Sequence, residues 1–125
     1  MNDECEKVKK DLRKIRVLSH QIDCVVAARD RHIKYMSHVT DEREKARLQA
    51  VIDSMKVEKL IAEANELETV YMSLINQLEP TERTIIYESF ILGVPHWKIA
   101  RNINYSEVYV QKLSNAAISK IARMK

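Results

Sequence analysis

The chain has 125 residues, of which 46% are hydrophobic and 31% charged, with one glycine and two prolines. A chain of this length forms one domain or a small domain with an extension, and this balance is typical of amphipathic helical proteins. No stretch approaches the roughly 18 uninterrupted apolar residues that a membrane span needs, and the charged N-terminus lacks the apolar segment of a secretory signal. We therefore expect an all-α cytoplasmic protein with no membrane partner.

The sequence offers no arrangement that suits catalysis. One glycine cannot form a glycine-rich phosphate loop, and no Ser/His/Asp, Cys/His or paired-carboxylate spacing stands out from the helical pattern. His20 and Cys24 are four positions apart, the spacing of two metal ligands on a helix, but no further His or Cys has a compatible spacing. We expect neither an enzyme nor a cofactor or metal site.

The net charge of +3 lies entirely in the last third of the chain. Residues 1–78 contain 14 Lys/Arg and 14 Asp/Glu, whereas residues 79–125 contain 7 Lys/Arg and 4 Asp/Glu. A modest basic bias of this kind suits a polyanionic partner. The N-terminal basic residues are surrounded by acidic ones, so we interpret them as a solvated charged face rather than a second DNA contact; they are Lys7, Lys9, Lys10, Arg13, Lys14 and Arg16.

Apolar residues at alternating three and four spacing predict two long N-terminal helices. The first extends from about Asp3 to Ser37. The second follows a break where Thr40 or Asp41 is the cap, Asp41 and Glu44 having capping-box spacing, and extends to about Leu78. The stripes are Val8, Leu12, Ile15, Ile22, Val26, Ile33 and Met36 in the first helix, and Val57, Leu60, Ala64, Leu67, Tyr71, Leu74 and Leu78 in the second.

These two helices predict a long helical hairpin with coiled-coil-like packing. Two helices enclose little core, so the remaining apolar face is expected to pair with another chain or to fold back on the C-terminal part. We assign residues 1–78 to oligomerisation or partner binding, and expect a homodimer or a higher homo-oligomer.

Glu79-Pro80 predicts a domain boundary, because proline disfavours helical geometry in the residue before it and suits the first position of a new helix. Downstream, a helix over 81–92 is stopped by Gly93, and Pro95 begins a short helix through about Asn102. Trp97 in that short helix is expected to be partly buried in the core.

Asn104-Tyr105 interrupts the chain again, and Ser106 caps a longer helix. Its inward residues are Val110, Leu113, Ala117, Ile118 and Ile121. This order predicts that residues 79–125 form a helix-turn-helix DNA-binding domain with the Ser106 helix as recognition helix.

Ten residues of this motif are candidates for contact with double-stranded DNA. Basic side chains are suited to phosphates, and Tyr109 and Gln111 to base edges in the major groove. The phosphate candidates are Lys98, Arg101, Lys112, Lys120 and Arg123, and the set is completed around the start of the recognition helix by Asn104, Ser106 and Glu107.

The segment from Leu78 to Lys125 resembles the fourth conserved region of bacterial sigma factors, and is similar in particular to short phage-encoded regulators of late transcription. The resemblance is carried by Glu82-Arg83, Ile85-Ile86, Gly93, Ile99-Ala100, Tyr105-Ser106 and the series Val110, Leu113, Ala117, Ile121. It implies a phage or prophage transcription regulator in the cytoplasm of a bacterial host cell. The Ser106 helix would bind DNA, and the earlier helices would contact bacterial RNA polymerase.

Two alternatives stay open. In the sigma family the recognition helix begins with arginines, whereas Glu107 and Val108 stand here, and Pro95 replaces the usual Ser or Thr cap. These differences favour a protein-interaction adaptor that acts on RNA polymerase or another regulator without reading DNA. A small terminase-like DNA-packaging subunit is the second alternative, since it also joins helix-turn-helix units to an oligomerising coiled segment.

Overall fold

The computed structural model describes residues 3–125, and every regular element in this range is helical. The prediction of an all-α protein is confirmed. None of these helices combines the length and the apolar character that a membrane crossing requires. In chain order they are α1 (Asp3–Met36), α2 (Glu42–Ser54), α3 (Val57–Ile75), α4 (Pro80–Ile86), a π-helical segment (Tyr87–Ile91), α5 (His96–Ile103) and α6 (Glu107–Met124).

The described residues fall into two compact units. The large unit comprises residues 3–17 and 66–125, and the small unit comprises residues 18–65. Helices α1 and α3 therefore contribute residues to both units. The start of α1 and the end of α3 belong to the same unit as the C-terminal helices. The domain boundary predicted near Glu79 lies inside this unit.

The core of the large unit joins the start of α1, the end of α3, α4, the π-helical segment and α6. Val8, Leu12 and Ile15 of α1 are almost completely buried there. Each aliphatic side chain of this kind contributes roughly 1.5–3 kcal/mol when it is fully removed from water. Within this unit, the apolar face of the N-terminal helices thus folds back on the C-terminal part. The remaining buried members are Tyr71, Ile75, Leu78, Ile86, Phe90, Ala117, Ile118, Ile121 and Ala122.

The second predicted helix is two helices in the structure. Asp41 caps α2 as predicted, its carboxylate accepting a 2.9 Å hydrogen bond from the Arg43 backbone N–H. However, α2 ends at Ser54, and Lys56 has a left-handed φ of 51° before α3 begins at Val57. The prediction of one helix over this range is therefore wrong. No glycine or proline marks the break, and apolar residues continue at helical spacing on both sides of it.

Tyr71 forms a partly buried polar cluster with Asp11 of α1 and Lys125. Its hydroxyl donates to Asp11 Oδ2 at 2.6 Å and accepts from Lys125 Nζ at 2.9 Å. Lys125 Nζ also lies 3.6 Å from the Asp11 carboxylate. Burial raises the pKa of the Tyr71 phenol above its ordinary value, and the hydrogen bond and negative charge of Asp11 act in the same direction.

Tyr71→Phe is expected to lower the free energy of unfolding by about 1–2 kcal/mol at neutral pH, because the Asp11 carboxylate loses its hydroxyl donor. The wild-type protein should also lose stability above about pH 10. There, ionisation of Tyr71 lowers the free energy of the unfolded chain, whereas the folded chain keeps the proton. Urea unfolding followed by circular dichroism from pH 7 to pH 11 measures both effects. The variant should show a shallower alkaline decline; identical pH profiles would contradict this role of Tyr71.

Candidate nucleic-acid interface

A tight turn connects α5 and α6, and local hydrogen bonds define it. Asn104 adopts a left-handed conformation (φ 60°, ψ 39°), which asparagine tolerates better than most residues, and ends α5. The Ser106 hydroxyl then accepts a 3.1 Å hydrogen bond from the Tyr109 N–H and caps α6. The predicted break at Asn104-Tyr105 and the predicted Ser106 cap are confirmed.

A small apolar cluster fixes α5 and α6 against α4. Ile85 of α4, Ile99 and Ala100 of α5, and Val110 of α6 are buried together. The partly buried side chains around them are Val94, Ile103 and Leu113. Because these residues occupy the inner faces of both helices, the opposite faces are directed to solvent.

The start of α5 follows a second special backbone position. Gly93 has a φ of 74°, a conformation that favours glycine, and it follows Leu92, the C-cap residue of the π-helical segment. Pro95 occupies the N-cap position of α5 without a side-chain hydrogen bond. The helix stop predicted at Gly93 and the helix start predicted at Pro95 therefore agree with the structure.

The first half of α6 presents an exposed face of mixed chemistry. Glu107, Gln111 and Lys112 are exposed, and Val108 has 69% of its surface exposed. Tyr109 stands edge-on to Tyr105, with ring centroids 5.0 Å apart, so that its ring is partly engaged within the motif. These positions are the ones in which a recognition helix presents its side chains to a groove.

The outer face of α5 carries Lys98, Arg101 and Trp97. The Arg101 guanidinium lies over the Trp97 ring, 5.9 Å from its centroid. Trp97 has 54% of its surface exposed, so the expectation that it belongs to the core is wrong. Ile99 and Ala100 fill the inner face of this short helix, and position 97 falls outside it.

Lys120 and Arg123 lie near the other end of α6, roughly 20 Å along the helix axis from Glu107. Lys120 Nζ is 2.8 Å from Oε1 of Glu82, a buried carboxylate that also accepts a 3.3 Å hydrogen bond from the Glu79 N–H. Arg123 is exposed. The structure therefore brings eight of the ten candidates together around α5, the turn and the start of α6, and places Lys120 and Arg123 apart.

A cleft beside α6 contains basic residues that the sequence pattern predicts to be part of a solvated charged face. Lys9, Arg13 and Arg16 of α1 line it together with Gln111 and Asn115 of α6. The signal was present in the sequence, because the three basic residues each follow a member of the buried stripe Val8, Leu12 and Ile15 by one position. Their orientation toward α6 depends on tertiary packing.

The His20–Cys24 pair is close but isolated from other metal ligands. His20 Nε2 and Cys24 Sγ lie 3.7 Å apart on α1. In the part of the chain that the structure describes, no group of three or more His, Cys, Asp or Glu side chains is arranged to hold a metal ion.

No known protein family, curated protein or solved structure gives a significant match to this chain. The physical features of α5, α6 and the neighbouring basic residues are accordingly the basis for a functional assignment.

Proposed function

We propose that the chain is a phage or prophage transcription regulator that binds double-stranded DNA through a helix-turn-helix of sigma region-four type, formed by α5, the turn at Asn104–Ser106 and α6. The observation that carries the proposal is the exposed first half of α6. This segment is capped by Ser106, anchored by buried Val110, and presents Gln111 and Lys112 to solvent. The basic excess of residues 79–125 supports a polyanionic partner.

In this proposal α6 enters the major groove, which is about 12 Å wide and admits an α-helix. Gln111 has the amide donor and acceptor that read adenine, while Lys112, Lys98 and Arg101 neutralise phosphates and fix the position of the protein on the duplex. Asn104 and Ser106 orient the start of the helix. The earlier helices of the same domain contact bacterial RNA polymerase.

In this proposal residues 1–78, which the sequence predicts to form a helical hairpin, make the regulator a homodimer or a higher homo-oligomer. Exposed apolar side chains in the small unit support this assignment; Ile33 has 46% of its surface exposed, and Tyr35, Val51 and Ile61 are also exposed. A dimer would bind half-sites one helical turn apart or a multiple of that distance. Sedimentation equilibrium tests this part, and a large ring would instead favour a small terminase-like subunit.

The double variant Gln111→Ala, Lys112→Ala is expected to weaken specific DNA binding about tenfold to a hundredfold, because it removes one base-reading amide and one phosphate contact. The slope of log affinity against log salt should decrease by about 1. Fluorescence anisotropy with DNA fragments from the chain's own genomic neighbourhood, titrated across salt with scrambled competitor, measures both quantities.

The matched control is Gln49→Ala, Lys59→Ala, which removes the same two side-chain types from exposed positions of the small unit. It should leave affinity and salt slope close to the wild-type values. Unchanged affinity and specificity in the Gln111–Lys112 variant would contradict α6 as the recognition helix.

A second candidate function is a protein-interaction adaptor, and the exposure of Val108 beside Glu107 favours it. An apolar and an acidic side chain at the start of α6 suit a protein surface better than a negatively charged groove. Absence of DNA binding at low salt, together with loss of RNA polymerase binding on Val108→Asp, would support the adaptor over the DNA reader.

A further inference from the structure

A basic cleft lies in the large unit between α1, α5 and α6. Its lining includes Lys9, Arg13, Arg16, His96, Gln111 and Asn115, and its volume is about 210 Å³. No aspartate or glutamate of the described residues lines it. Three basic side chains and several neutral hydrogen-bonding groups therefore converge on one concave site, which we call the basic cleft.

Two arginines of the basic cleft are held in place by neighbours that do not neutralise them. The Arg13 guanidinium lies 5.4 Å from the centroid of the buried Phe90 ring. The Arg16 guanidinium lies against Gly93, where an added Cβ atom would overlap it. Among residues 3–125, neither arginine has an aspartate or glutamate within ion-pair distance. Their N–H groups are thus available to an external anion.

Polar groups complete the lining. His96 Nε2 lies 3.2 Å from the Ser89 hydroxyl, a contact that orients the imidazole ring. Gln111 Nε2 donates to Asn115 Oδ1 at 3.2 Å. Lys9 Nζ lies 3.6 Å from Oε1 of Glu6, whose side chain is 52% exposed. A surface pair of this kind contributes little free energy, so Lys9 can exchange it for a stronger partner.

We propose that the basic cleft binds a phosphate group, which on DNA is a backbone phosphate beside the groove occupied by α6. Guanidinium groups bind phosphate oxygens in a bidentate manner, and two of them with a lysine supply enough N–H donors for the oxygens of one phosphate and more than enough positive charge to neutralise it. The DNA assignment rests on the proposed function, because Gln111 both lines the cleft and belongs to the recognition helix. The volume is smaller than the roughly 300–1,000 Å³ of drug-sized ligand sites, which favours a single phosphate over a whole nucleotide.

The first experiment is a titration of the full-length protein with inorganic phosphate at constant ionic strength, followed by NMR of the imidazole and side-chain amide groups. We expect saturable shifts at His96 and Gln111 in the wild-type protein and none in the Arg13→Gln, Arg16→Gln variant. The variant's fold is checked by circular dichroism, and Arg16→Gln alone provides a second variant that keeps the Arg13–Phe90 contact. Non-saturating shifts, or equal shifts in wild type and variants, would overturn the phosphate site.

The second experiment measures DNA affinity over a salt series. Arg13→Gln, Arg16→Gln should weaken binding about tenfold and lower the salt slope by about 1, the change expected for one phosphate. The control Lys7→Gln, Lys10→Gln removes the same charge from exposed positions of α1 that do not line the basic cleft, and its effect should be smaller. Equal losses in the two variants would overturn the DNA-phosphate assignment, whereas saturable phosphate binding with an unchanged salt slope would support a site for free phosphate.

These two measurements separate the cleft from the proposed function. If no DNA fragment binds, the phosphate titration still decides whether the basic cleft is an anion site. In the second case DNA binds specifically, inorganic phosphate causes no saturable shifts, and the arginine variant keeps the salt slope of the wild type. The phosphate site in the basic cleft is then overturned, whereas DNA binding through α6 stands.

Discussion

Ile99→Ala is expected to lower the free energy of unfolding by about 3 kcal/mol, since it removes buried aliphatic atoms and leaves a cavity at the junction of α5 and α6. Ile99 is completely buried and packs in the cluster with Ile85, Ala100 and Val110. The surrounding backbone is fixed by the α5–α6 turn, so the cavity cannot close easily. Urea unfolding followed by circular dichroism measures the loss.

The matched control for Ile99→Ala is Val108→Ala in the adjacent helix. Val108 is largely exposed, so its truncation should change stability by no more than about 0.5 kcal/mol. DNA binding by folded Ile99→Ala at low temperature should stay close to that of the wild type, because the side chain does not reach the outer face. Similar, small stability effects of the two substitutions would contradict the packing described for α5.

Lys120→Met should destabilise the protein by about 2 kcal/mol, because it leaves the buried Glu82 carboxylate without its charged partner. The Lys120 side chain is 43% exposed, so we expect less than the full cost of breaking a wholly buried ion pair. The Glu82→Gln, Lys120→Met double variant should recover part of the loss, since the remaining group is neutral. Denaturant unfolding of the two single variants and the double variant measures this coupling.

DNA binding by Lys120→Met distinguishes a structural role of Lys120 from the phosphate contact predicted for it. A structural role leaves the salt slope of DNA binding unchanged in the folded variant. Arg47→Met is the control, because it removes an equal charge from an exposed position of the small unit that is not among the candidate DNA contacts. If Lys120→Met had the stability of wild type and lowered the salt slope by about 1, Lys120 would be a phosphate contact rather than the partner of Glu82.

Local signals in the sequence were sufficient to locate most helix ends. Asp41, Gly93, Asn104 and Ser106 each act through their own backbone or through a residue two or three positions away. Capping and left-handed turns are therefore readable from neighbouring residues. The break at Lys56 has no such local signal, because that residue is neither glycine nor proline although its φ is 51°.

The all-α class, the turn between α5 and α6 and the candidates along the outer face of α6 follow from the sequence alone, because they depend on helical periodicity and on contacts between near neighbours. The exposure of Trp97, the pairing of Lys120 with Glu82 38 positions away, and the meeting of Arg13 and Arg16 with Gln111 at one cleft follow only from the way the helices pack. Periodicity defines the faces of a helix. Which face is covered, and by which distant charge, depends on how the helices pack against one another.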